Sequence, residues 1–143
     1  MKGTIGMSYD LMVFEKTKAP STKKEFMLWF EKQTEWNEEH DYQSIGVSSL
    51  ALQNWFMEMK NTFPPMNGDY SPDADLLDAD ENLERHLTDY SIGREVIYAA
   101  FSWSVADEAY EFMRTLAQKH GVGFFNVSSD DGEIILPDGG GII

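Results

Sequence analysis

The sequence predicts an α+β fold, a two-layer sandwich with an antiparallel sheet and elements in the order β-α-α-β-β-α-β-β. Three observations carry this reading. An apolar strand pattern opens the chain near Ser8, two separate helical patterns follow it, and the stretch from Glu95 to Pro137 reads strand, helix, strand, tight turn, strand. With the two early helices counted as one crossover, the order contains βαββαβ, the ferredoxin-like arrangement, plus one C-terminal strand. Right-handed crossovers then place the helices on one face of the sheet.

The run from Ser8 to Glu15 alternates Tyr9, Leu11 and Val13 with Asp10, Met12 and Phe14. Most of its positions are apolar, as in a sheet interior. Thr22 with Glu25 forms a capping-box signature, and Phe26, Trp29, Phe30 and Gln33 recur at helical spacing, so a helix is expected over about 22–35. The segment 37–47 is polar and irregular. Ser48 or Ser49 can cap a second helix carrying Leu52, Phe56, Met59 and Phe63 on one stripe, and Pro64-Pro65 ends it. A short strand over 87–92 turns at Gly93 into the strand beginning near Glu95, whose apolar run extends through Trp103. Ser104 and Asp107 form a second capping-box signature. The helix after it carries Ala109, Tyr110, Met113, Leu116 and Ala117 on one face and stops at Gly121. The extended run 122–127 leads to Asp131-Gly132 and then Ile134, Ile135 and Leu136, a short-range hairpin signal. The expected organisation is a single domain over 7–137, with an N-terminal extension at 1–6 and a flexible tail at 138–143.

Composition narrows the function classes. The 19 aromatic residues argue for a real core. The absence of cysteine excludes disulfides, thiolate nucleophiles and cysteine-ligated metal centres. No apolar run reaches the ~20 residues of a membrane helix, so a soluble, cytoplasmic protein is expected. Eleven Lys and Arg against 25 Asp and Glu give a net charge of −14. Such a surface opposes nucleic acid and anionic lipid and favours a basic partner.

That charge is unevenly spread. Between Met66 and Asp89 lie eight acidic residues against Arg85 alone, a net −7 and half of the total. Asp73, Asp75, Asp78, Asp80 and Glu84 offer hard oxygen ligands, but the calcium-loop pattern fails because Asp78 stands where the sharp turn needs glycine. His40, His86 and His120 lie singly, unlike convergent zinc ligands. No nucleophile elbow, phosphate loop or dinucleotide fingerprint is present, so neither a catalytic residue nor a cofactor is assigned. The candidate partner-binding residues are Asp69, Tyr70, Asp73, Asp75, Asp78, Asp80 and Glu81, with Trp36 and Tyr42 as aromatic anchors beside the negative rim.

At Met7-Ser8-Tyr9-Asp10-Leu11, and from His120-Gly121-Val122-Gly123-Phe124-Phe125 to Val127-Ser128-Ser129-Asp130-Asp131-Gly132, the chain resembles a group of small, acidic, largely uncharacterised bacterial proteins. The resemblance spans most of 7–137 and transfers no functional residue. Bacterial proteins of this look are often immunity proteins, which protect a cell by binding a toxin domain. The expectation is therefore a non-enzymatic acidic protein-binding module, an immunity-type inhibitor of a basic toxin such as a nuclease. The alternative is a small-molecule or peptide-binding domain, or an enzyme, that uses the open sheet face at Tyr98 and Trp103.

Overall fold

Strand β1 (Tyr9–Phe14) is the centre of the molecule, because Leu11, Met12, Val13 and Phe14 present buried apolar side chains to both faces of the sheet. The computed structural model describes residues 8–138. The expected extension over 1–6 and the tail beyond Asp138 lie outside the described residues. Helix α1 (Lys23–Gln33) starts where Thr22 accepts a hydrogen bond from the Glu25 N–H, as the capping pattern predicts. Helix α2 (Leu50–Met59) is capped by Ser49, which accepts from Leu52 N–H. Two short helices, α3 (Ala74–Ala79) and α4 (Glu81–Arg85), precede strands β2 (Asp89–Ile92) and β3 (Val96–Phe101). Helix α5 (Ala106–His120) and strands β4 (Gly123–Phe125) and β5 (Ile134–Ile135) complete the chain. All strand pairs are antiparallel, in the order β2-β3-β1-β4-β5.

The helices do not share one face, which corrects the two-layer expectation. Leu11 and Val13 point to a core with Leu52, Trp55, Phe56, Met113 and Leu116, contributed by α2 and α5. Met12 and Phe14 point the opposite way, to a smaller core built around Phe26 of α1. The reason is legible in β1 itself. A strand with four successive fully buried apolar residues, Leu11 to Phe14, exposes apolar area to water unless both faces are covered. Burying a ring such as Phe14 or Phe26 is worth roughly 1.5–3 kcal/mol. The two rings meet edge to face, with centroids 5.0 Å apart. Gly123 makes this possible, since a Cβ there would clash with the tip of the Phe14 ring, at its Cζ.

Three local expectations also shift. Helix α5 begins at Ala106 after a turn over Trp103–Val105, and Val105 at its N-cap makes no side-chain capping bond. Ser104 caps nothing; instead Ser102 accepts from the Ser104 N–H. Trp103 thus leaves the strand and stands 57% exposed. At the C-terminal hairpin Gly132 takes the left-handed conformation (φ 60°), but within a longer loop, since Phe125 pairs with Ile134 and Asn126 N–H donates to Glu133 O. Gly121 ends α5 at φ 72°, as expected. Among the described residues no helix is long and apolar enough to cross a membrane.

Candidate functional site

The acidic segment is ordered by its own carboxylates. Asp73 caps α3 by accepting from Asp75 N–H, and Asp80 caps α4 by accepting from the N–H groups of Asn82 and Leu83. Asp75, Glu81 and Glu84 lie in the first turns of these helices, where the positive end of the backbone dipole favours them. Asp69, Asp73, Asp75, Asp78, Asp80 and Glu81 are all exposed. Among the described residues no group of three or more His, Asp or Glu is arranged to hold a metal ion.

The segment is fastened to the body at its ends. Tyr70 sits edge-on to Phe56 at 6.1 Å, with Lys60 Nζ over its ring at 5.0 Å. Thr88 N–H donates to Pro64 O and Met66 N–H to Thr88 O. Between these points His86 reaches from the end of α4 to α5, with Nε2 2.8 Å from Glu108 Oε1 and Nδ1 2.7 Å from Asn82 O. A neutral imidazole can donate to only one of these two acceptors.

The aromatic loop is a separate construction. Trp36 and Tyr42 meet edge to face at 5.2 Å, and Trp36 packs on Tyr98 at 5.9 Å. Both have left-handed backbones, φ 55° and 63°, which bulky residues adopt only when their surroundings hold them there. Here side chains do the holding. Glu38 N–H donates to the Tyr42 hydroxyl, Tyr42 N–H to His40 Nδ1, and Arg94 N–H to the Glu38 carboxylate. Tyr42 N–H requires Nδ1 as an acceptor, so the other ring nitrogen carries the proton and donates to Glu38.

The structure therefore brings Trp36 and Tyr42 together on the α1 face, while Tyr70 lies against Phe56 of α2 on the opposite face. The two regions touch where Gly68 abuts Gln43 O. Tyr98 and Trp103 do not line a common pocket, contrary to the expectation for the sheet face. Trp103 borders a hollow of about 600 Å³ with Met66, Glu84, Leu87 and Asp89. Tyr98 borders a second hollow, of about 290 Å³, with Asp10, Phe30, Trp36 and Asp89. The hollows adjoin at Ser8, Asp89 and Ala100, which line both.

Sequence reasoning passed over Met66, Asp10 and Asp89 as site residues, and it placed Trp103 on the open sheet face beside Tyr98. Two signals were available: serines flank Trp103 on both sides, and Asp10 is the one charged residue inside β1. In the second hollow the Tyr98 hydroxyl donates to Asp10 Oδ2. Burial, and then the neighbouring Asp10 carboxylate, push the Tyr98 phenol well above its ordinary value. Tyr98 thus stays a donor at neutral pH. No family model, curated protein or solved structure matches this chain.

Proposed function

We propose that the chain is a non-enzymatic, acidic protein-binding module acting in the cytoplasm, of the immunity type, whose partner is a basic protein such as a toxin nuclease. The observation that carries this reading is the exposure of the acidic carboxylates of α3 and α4 beside a hollow that holds a 57% exposed Trp103. A negative rim speeds encounter with a basic surface, and an aromatic side chain supplies the desolvated contact that slows release. Glu84 and Asp89 connect the two, since both line that hollow. We further read β1-α2-β2-β3-α5-β4 as a ferredoxin-like unit to which α1 and β5 are added; the strand order supports it.

The test is a pull-down from native lysate at low and then moderate salt, followed by association kinetics with the recovered protein. Asp73, Asp75, Asp78 and Asp80 changed together to Asn should slow association and flatten its salt dependence, because Asn keeps both caps while the charge is lost. An unchanged association rate at low salt would reject the acidic segment as the docking surface. The second reading, a small-molecule or peptide site on the sheet face, is favoured by the hollow at Tyr98.

A further inference from the structure

Strand register places two carboxylates on one face of the sheet with a small residue between them. Asp10 of β1 and Asp89 of β2 are both opposite Ala100 of β3. They are therefore two strand spacings apart, roughly 10 Å. The Ala100 methyl leaves the space between them open, and that space is the hollow of about 290 Å³. Its far wall is aromatic. Phe30 lies nearly parallel to Tyr98, 21° between planes at 6.5 Å, and Trp36 meets Tyr98 at right angles. Asp10 and Asp89 are the only charged residues in the lining, and neither has an ion pair among the described residues.

We propose that this hollow seats a single cationic side chain, the guanidinium of an arginine on the basic partner. The inference rests on the protein-binding reading above and names the group that the partner inserts. The chemistry of the walls selects it. Ring faces attract a cation through their quadrupoles, and a planar guanidinium stacks on them while its N–H groups point outward to carboxylates. The hydroxyls of Ser8 and Tyr98 already bond to Asp10, which fixes the carboxylate in position and leaves lone pairs for a bound cation. The volume falls just below the roughly 300–1,000 Å³ usual for small-molecule pockets, which suits one side chain rather than a whole cofactor. The hydrogen bonds of the loop that carries Trp36 prearrange this wall, which lowers the ordering cost of binding.

The test titrates the labelled full chain with N-acetyl-arginine methylamide and with its neutral isostere, N-acetyl-citrulline methylamide, while following the Trp36 indole N–H and the Ala100 methyl by NMR. The arginine derivative should give saturable shifts at both probes and the citrulline derivative none. Asp10→Asn and Asp89→Asn should each weaken binding at least about tenfold. Asn at 10 can still accept from Tyr98, and Asp89 is exposed, so at least one variant reports on a folded chain. Equal response to citrulline, no saturable response, or full binding by both variants would overturn the proposal. A polyarginine peptide separates the two readings. If it binds through the acidic segment while the hollow stays silent, the arginine seat is wrong and the docking surface stands. If the hollow takes the arginine derivative but the fourfold Asn variant at 73, 75, 78 and 80 binds polyarginine unchanged, the seat stands and the acidic docking surface falls.

Discussion

The sheet with α5 and the segment carrying α3 and α4 are ordered by opposite means. Around β1, apolar side chains from both faces exclude water, and Leu11, Met12, Val13 and Phe14 are wholly buried. In α3 and α4 no residue is buried, and the helices begin on aspartate caps. Helices this short are unstable alone. Theirs is a local, polar order, pinned to the body by Tyr70, His86 and Thr88. A region built in this way can carry charge that a core could not.

The largest effect that would sharpen this contrast is expected in the core. Trp55→Ala removes a fully buried ring whose indole N–H donates to Met113 O at 3.4 Å. A loss of about 3–5 kcal/mol in a denaturant titration is expected. Next comes Asp80→Ala, which deletes the α4 cap. It should cost about 1 kcal/mol, with faster amide exchange confined to 81–86; loss of protection throughout β1 and β3 would show that the segment is not locally independent. Smaller still is the fourfold Asn variant at 73, 75, 78 and 80. Its stability should stay within about 0.5 kcal/mol of the parent, whatever it does to binding.

A different kind of effect, a pH dependence, is expected on the core side. The Tyr110 phenol is pushed up to about 12, chiefly by burial and then by its hydrogen bond to Glu133. The folded state therefore holds this proton more tightly than the unfolded state does. The resulting stability is complete below pH 10 and is lost as the pH rises from 10 through about 12. Tyr110→Phe should flatten the alkaline limb of a stability profile in that window, and an unchanged slope would show that Tyr110 does not contribute to it.

The candidate site was only partly legible in the sequence. The acidic segment is visible as a run of letters, because net charge needs no fold to be counted. That Asp73 and Asp80 are caps follows from their place before Ala74–Ala79 and Glu81–Arg85, which composition alone does not reveal. The pairing of Asp10 with Asp89 across Ala100 joins residues far apart in sequence through two strand registers, and no local pattern encodes register. Trp103 was misplaced because apolar runs mark a strand without marking where it ends. Its flanking serines turn the chain at 102–104, one step beyond the last ladder residue, Phe101.

By itself the sequence determined what is local. Hydroxyl caps at Thr22 and at Ser48 or Ser49, a left-handed stop at Gly121, alternation along β1, the apolar run of β3 and a strongly negative segment all depend on neighbours within a few residues. Only the tertiary structure decided that α1 covers one face of the sheet while α2 and α5 cover the other. Alternation assigns each side chain to a face, but the helix that covers that face is chosen by which apolar stripe fills it best. For Phe14 and Phe125, rings of α1 complete the packing, and Gly123 leaves the space that the Phe14 ring occupies.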